Sequence, residues 1–451
     1  MSKVIRLKRG LNIRLTGEAE KVLATSVEVE KFAIKPTDFP GLAPKILAKA
    51  GQLVKAGEPI FFDKNNPEII FTSPVSGEVL EIKRGERRKV LEIIISSDGK
   101  NDSVEFTKAD PQKLSGDEIK EQLIRSGLWP FLKQRPYGTV AKSESSPLHI
   151  FISGFNSAPL APDYEFVLKG QASVFQTGIN ALAKLNSGRI HVGIRPEQEN
   201  GFFSGIKNIE ITQFDGPHPA GNVGIQIHHI NPISKGDLIW TISPQEVIYI
   251  GRLFETGKID LTKIIALTGS EVKSPKYYKV IHGTNLGGIL QKATKHEGLE
   301  RFISGNVLTG TRIDADDYLG FYDQQVTVIP EGDYYEFLGW AMPRLNKFSI
   351  SHSYFSWLNP KKTYKADSNM NGEERAYVMT GQYEKVLPMD ILPVFLMKAI
   401  IADDIDKMEQ LGIYEVIEED LALCEYVCTS KTEVQRILRN GINLMIKELG
   451  N

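Results

Sequence analysis

At 451 residues the chain is too long for a single ordinary core, and at about 100–200 residues per domain it predicts three or four domains. Its 41% hydrophobic and 24% charged residues are those of a water-soluble globular protein, and a net charge of −2 gives no basis for nucleic acid as the main partner. Two cysteines, Cys424 and Cys428, exclude a disulfide framework and fit a reducing compartment. The start lacks an uninterrupted apolar h-region, and no window approaches the ~20 apolar residues of a membrane span.

Taken in order, residues 1–100 predict short strands punctuated by Gly and Pro. Between Pro44 and Val90, Gly51, Gly57, Gly77 and Gly85 mark turns, and Leu80 and Ile82 alternate with Glu81 and Lys83 as in a half-buried strand. The segment AGQLVKAGEPI, then TSPVSGEVLEIKRG, resembles the two symmetric halves of the biotinyl/lipoyl carrier fold, a barrel-sandwich of small strands. The carrier's modified lysine would correspond to Lys64, after Asp63 on an exposed turn, although Asn65, Asn66 and Pro67 replace the usual small residue. The basic run 83–89 predicts a solvated hairpin tip.

A polar linker then leads to Ser115, an N-cap ahead of a helix with Asp117 and Glu118 in its first turn. From residue 148 the pattern turns α/β. LHIFISGF, GRIHVGI, IKNIEIT and DLIWTI predict strands. Residues 164–185 carry helical spacing, Gly221 to Ile230 opens a helix, and Pro244 to Phe254 predicts another with proline in its first turn. Alternation of this kind predicts a parallel, nucleotide-binding-like sheet over 101–257.

Residues 258–332 return to β character, with a strand, a Gly turn and a short helix in YYKVIHGTNLGGILQKA and a hairpin in SGNVLTGTRI. They resemble the β-grasp module called the soluble-ligand-binding domain. Residues 333–378 form an aromatic-rich connecting segment that includes Tyr334, Tyr335, Phe337, Trp340, Phe355 and Trp357. From 379 to 451 the apolar spacing is helical throughout.

This order of parts resembles the flavoprotein subunit of respiratory complex I and the C subunit of the Rnf complex. The strings SGLWPFLKQRP, FDGPHPAGNVGIQIHHINP, FLGWAMPRLNKFS and RAYVMTGQYEKVLPMDILP resemble the A subunits of the sodium-translocating NADH:quinone oxidoreductase, and the match covers essentially the whole chain. The resemblance implies a peripheral subunit on the cytoplasmic side of the bacterial inner membrane. It would belong to a six-subunit membrane complex that passes electrons from NADH to quinone and exports Na⁺. NADH, flavins and iron–sulfur groups would work elsewhere in that complex, with none bound by this subunit, and quinone is the ligand associated with it.

The residues support that reading in part. A flavin-phosphate loop needs glycines so that backbone N–H groups can approach the anion, but Ser126-Gly127-Leu128-Trp129-Pro130-Phe131 keeps one glycine and gains a residue with no N–H. This argues against a flavin phosphate, and leaves Trp129, Phe131, Lys133 and Arg135 either as a packing segment or as the lining of a cleft for a flat quinone ring. His218, between two prolines, is either part of a rigid turn or a donor to a quinone carbonyl. Cys424 and Cys428, at i and i+4, supply half a tetrahedral metal site and no more, as in a helical ferredoxin domain without its cluster. Two alternatives stand beside this reading: a lipoyl or biotin carrier through Lys64, and a flavin-dependent NADH dehydrogenase subunit with an altered loop.

Overall fold

The computed structural model describes residues 3–25, 27–296 and 298–449, and of Trp340 the backbone only, so that aromatic side chain lies outside the described residues. The glycine- and proline-punctuated region folds as a barrel-sandwich. One sheet runs Lys31–Ile34, Val90–Ser97, Gly77–Arg84, Leu53–Val54; the other runs Pro44–Ile46, Pro59–Asp63, Asn66–Thr72. Ile60, Phe61, Phe71, Val79, Ile93 and Ile95 fill the space between them, with Phe61 stacked on Phe71 at 4.4 Å. At Gly77 (φ 153°) a Cβ would lie 1.8 Å from the Ser96 carbonyl oxygen, so only glycine fits. The expected alternation at Leu80 is broken by a bulge. Val79 pairs with Ile95 and Glu81 with Ile94, which leaves Leu80 as the extra residue, 42% exposed.

The α/β region builds a seven-stranded sheet in the order Lys3–Arg6, Glu210–Asp215, Ile190–Ile194, His149–Ser153, Ile239–Thr241, Lys133–Arg135, Thr139–Val140. The first five are parallel; the last two join antiparallel. The central strands are buried on both faces, which is why they read as near-continuous apolar runs. The stretch 164–185 is two helices, Tyr164–Val167 and Ala172–Leu182, interrupted at Gly170 (φ 79°). Ala172–Leu182 lies against Pro244–Thr256, and the two approach through glycines: a Cβ on Gly178 would meet the Val247 carbonyl oxygen at 2.2 Å, and one on Gly251 the Val174 carbonyl oxygen at 1.9 Å.

A mixed six-stranded sheet follows, ordered Thr311–Ile313, Glu300–Ser304, Gln325–Pro330, Thr262–Thr268, Lys276–Ile281, Glu20–Leu23, with the helix Gly287–Ala293 on its core. Lys3–Arg6 and Glu20–Leu23, both before the barrel in sequence, therefore serve as edge strands of two other sheets. The last part is helical, at Pro393–Ile401, Ile405–Gln410, Glu418–Tyr426 and Val434–Leu449. Its apolar faces share one core with Phe214, Ile225 and Ile227 of the α/β region. No helix among the described residues is long and apolar enough to cross a membrane.

Candidate functional site

The parallel sheet sets the location. From His149–Ser153 the chain goes outward on one side through Ile190–Ile194 to Glu210–Asp215, then returns to the other side with Ile239–Thr241. In sheets of this kind a crevice opens at the carboxyl ends of the two strands where the direction reverses. A cavity of about 160 Å³ lies there, lined by Ser153 and Phe155 beyond one strand and by Thr241, Ile242 and Ser243 at the end of the other. The antiparallel strand beside it brings in Lys133 and Arg135, which are two apart and so share a face. His218 and Asn222 come from the loop before Val223–Ile230, Tyr322 from the six-stranded sheet's loops, and Glu419 from the helical part.

Of the residues expected to contact a ligand, the structure brings Arg135 and His218 to this cleft and packs Trp129 and Phe131 into the core. Trp129 is fully buried, its Nε1–H donating to the Ala141 carbonyl at 2.7 Å and its ring edge-on to Trp240. Phe131 stacks on Phe321 and meets Tyr249 and His282 edge-on. Neither lines the cavity. The N–H groups of Ser126, Gly127, Leu128, Phe131 and Leu132 all donate to carbonyls within 122–129, and Pro130 has none, so Trp129 alone in the segment keeps an N–H without such a bond and no cluster of donors remains.

Arg135 is 1% exposed and spends its fork on the helical part: Nη1 reaches Asp420 Oδ2 at 2.5 Å and Nη2 reaches Glu419 Oε1 at 2.6 Å. Burial pushes the Asp420 carboxyl up, to about 6, against the pull of Arg135. The guanidinium is thus neutralised in place and is not free to hold a ligand phosphate. The helix Pro244–Thr256 begins at the cleft, but the position an anion would take is filled by its own Glu246, whose Oε2 accepts the Ser243 N–H at 2.8 Å in a capping box. Burial raises the Glu246 carboxyl. Lys133 places its ammonium 4.4 Å from the Tyr322 ring centroid, and Tyr322 donates to the Pro130 carbonyl at 2.7 Å. Burial lowers the His218 imidazole to about 4, so the ring is neutral in ordinary buffers. The surface is polar, holds both signs of charge already paired or opposed, and offers uncharged donors.

Sequence reasoning passed over Tyr164, Glu246 and Tyr322, which line the cleft, and Ser157, whose Oγ lies 2.9 Å from His218 Nδ1. Glu246 had a usable signal, since Ser243-Pro-x-Glu246 is a capping-box spacing directly after a strand. The other three are brought in by tertiary folding and carry no local motif.

The remaining candidates lie elsewhere. Lys64 is exposed on the turn between Pro59–Asp63 and Asn66–Thr72, its N–H donating to the Ala43 carbonyl and Asp63 accepting from the N–H groups of Ala43 and Asn65. Cys424 and Cys428 are both buried, and Cys428 lies past the end of Glu418–Tyr426. Burial pushes the Cys424 thiol well up; Cys428 is held below its usual value by the Tyr383 hydroxyl and the Thr432 N–H, which outweigh burial. No group of three or more His, Cys, Asp or Glu suited to a metal occurs among the described residues. His228 accepts the Asp390 N–H at Nε2, which places its proton on Nδ1, 2.7 Å from Glu415 Oε2, so it ties two parts of the fold together.

Comparison with known proteins gives three family-model matches. Residues 5–98 match the NqrA N-terminal barrel-sandwich hybrid domain, 114–259 the NqrA second alpha/beta domain and 264–315 the NQRA C-terminal domain. Over 99% of its length the chain is 38% identical to the A subunit of the Na(+)-translocating NADH-quinone reductase of Neisseria meningitidis (strain FAM18) and 35% identical to that of Pasteurella multocida, in each case across 100% of the relative. It is 39% identical over 97% of its length to the protein of that name from Tolumonas auensis, covering 98% of the relative. A solved NAD⁺-reducing [NiFe]-hydrogenase in the H₂-reduced state overlays on 76% of this chain and 63% of its own with a TM-score of 0.40 at 13% identity, too distant to bear on function. By sequence, along its whole length, the chain belongs to the NqrA family, the A subunits of the Na(+)-translocating NADH-quinone reductase.

Proposed function

We propose that this chain is the peripheral NqrA component of a six-subunit Na⁺-translocating NADH:quinone reductase on the cytoplasmic side of the membrane. It carries no redox group of its own and receives the ring of a quinone in the cleft at the strand reversal. The cavity volume is the observation that carries the ligand reading. A cavity of about 150 Å³ accommodates one benzene-sized ring; this cleft, open on one side, holds about 160 Å³. A single ring fits, with any tail left outside.

The electrostatics support the same choice. The segment 126–132 has no N–H cradle to offer, Arg135 is consumed by two carboxylates, and Glu246 occupies the helix N-terminus. A neutral ring carrying carbonyl acceptors meets none of those obstacles, and finds His218, Tyr164, Tyr322 and Lys133 as neighbours.

The parts of the fold are proposed to be those of the wider relatives: a lipoyl/biotinyl-type barrel (1–100), a degenerate flavin-binding Rossmann-like domain (101–257), a β-grasp module (258–332), a connecting segment (333–378) and a helical ferredoxin-like domain without a cluster (379–451). The test uses the purified full chain. It is expected to be colourless above the protein absorbance and to bind a short-chain ubiquinone, with binding lost on Ser153→Trp, which fills the cavity. A stoichiometric flavin or iron–sulfur spectrum would overturn the cofactor-free reading, and ubiquinone binding unaffected by the filled cavity would move the ligand elsewhere. An exposed Lys64 on its hairpin turn keeps the carrier alternative in view; an unmodified intact mass in protein from its native host removes it.

A further inference from the structure

His218 lines the cleft but is only 4% exposed, and its backbone is fixed from both sides: its N–H donates to Asn12 Oδ1 at 2.9 Å and its carbonyl accepts the Leu11 N–H at 2.7 Å. Its ring is held by one partner. Ser157 Oγ lies 2.9 Å from Nδ1, and the same oxygen accepts the Gly221 N–H at 2.8 Å. That second bond can run only one way, because a backbone N–H can only donate. The serine's own proton then has His218 Nδ1 as its acceptor. Were the imidazole proton on Nδ1 instead, the serine oxygen would receive two N–H groups and its hydroxyl hydrogen would be left to solvent. With the ring's hydrogen on Nε2, the serine's proton is directed at Nδ1 and the Nε2–H is the one group left for a ligand.

The contact is a built one. Gly221 has no room for a side chain, since a Cβ there would lie 2.5 Å from the Ser157 N and 2.8 Å from its Oγ; any other residue would push the loops apart and break the pair. The Ser153 hydroxyl lies 2.9 Å from the Gly221 carbonyl and 2.8 Å from that of Phe155, so its one proton serves either acceptor and links the Ser157–His218 loop to the end of the central strand.

We propose that Ser157 is a positioning residue that fixes His218 as the Nε2–H tautomer, so that the cleft presents a neutral N–H donor and selects ligands that place a carbonyl oxygen there. This rests on the quinone reading of the cleft but goes beyond it. It names the donor atom, the residue that sets it, and the ligand atom it recognises. A ring whose oxygen at that point is a methyl ether, or is absent, leaves the N–H without a partner and binds more weakly.

The test is made on the full chain labelled with ¹⁵N at its eight histidines. The His218→Gln spectrum assigns the resonance, and the wild type is expected to show a protonated Nε2 and a bare Nδ1 at neutral pH. Ser157→Ala is expected to lose that preference and to bind a short-chain ubiquinone about five- to tenfold more weakly; Ser157→Thr, which keeps the hydroxyl, is expected to retain both. A wild-type His218 protonated on Nδ1 overturns the proposal, as does a Ser157→Ala chain whose His218 signature and ubiquinone affinity are both unchanged. A wild-type chain with the expected signature that takes up no ubiquinone overturns the ligand reading alone and leaves the serine's role standing.

Discussion

Arg135 and Asp420 form the ion pair on which the cleft's geometry turns, and both are almost wholly buried. Removing one partner leaves a charge in a medium that cannot solvate it. Arg135→Met is therefore predicted to cost about 3–5 kcal/mol in urea unfolding, because Asp420 is orphaned. Replacing both, as Arg135→Met with Asp420→Leu, is predicted to recover most of that loss, since an apolar pair of similar volume is often neutral relative to a buried ion pair. Full loss in the double variant would show that the pair is needed for specific docking of the helical part and not merely to neutralise itself. The role of Arg135 was half legible in the sequence. Its position next to a vanished phosphate loop suggested a ligand contact, but the two carboxylates that consume it lie 284 and 285 residues away, and no local pattern announces them.

Asp38 gives a pH dependence. Its Oδ2 accepts the Phe321 N–H at 2.7 Å, which joins the barrel to the six-stranded sheet, and burial raises the carboxyl to about 6 despite Lys35 nearby. A carboxyl with a folded pKa above its unfolded value binds protons more readily when folded. Its contribution to stability therefore grows as pH falls from about 6 towards 4 and is lost as pH rises through 6. Asp38→Asn keeps an acceptor for Phe321 and removes the titration. It is predicted to be more stable than wild type by about 1–2 kcal/mol at pH 7.5 and equal to it near pH 4, as read from chemical denaturation at the two pH values.

At the scale of elements, the two helices Ala172–Leu182 and Pro244–Thr256 cross through Gly178 and Gly251 with no room for a methyl group. Gly251→Ala is predicted to destabilise the protein by about 1–3 kcal/mol in thermal unfolding, despite alanine's better helix propensity, because overpacking at a backbone contact outweighs it. The second helix was legible from its proline in the first turn; the first was legible as helical spacing, but its break at Gly170 was not, because the spacing continues across it. Residues His149–Ser153, Ile190–Ile194 and Ile239–Thr241 could be read because strands buried on both faces need apolar residues throughout. Leu80 misled for the opposite reason: an alternating pattern assumes an unbroken register, and a bulge there turns the leucine outward.

At the scale of the whole molecule, the cleft exists only where three parts meet. The parallel sheet supplies its floor at Ser153 and Thr241, the mixed sheet's loops supply Asn306, Thr309 and Tyr322, and the helical end supplies Ile417 and Glu419. This convergence explains why individual strands and helices were readable from turns and periodicities, whereas the composition of the site was not. Periodicity reports which face of an element is buried; it does not report which other element buries it.

The two edge strands at Lys3–Arg6 and Glu20–Leu23 have one more implication, for biogenesis. Lys3 stands opposite Thr212, and Glu20 opposite Lys276. Both strands leave the ribosome before the barrel and must wait, unpaired, until far later stretches have been synthesised, while the barrel can close at once. Vectorial folding therefore starts in the middle of the amino-terminal third, and the strands ahead of it are placed later. A nascent chain halted shortly after the barrel should hold a compact core behind a protease-sensitive leader.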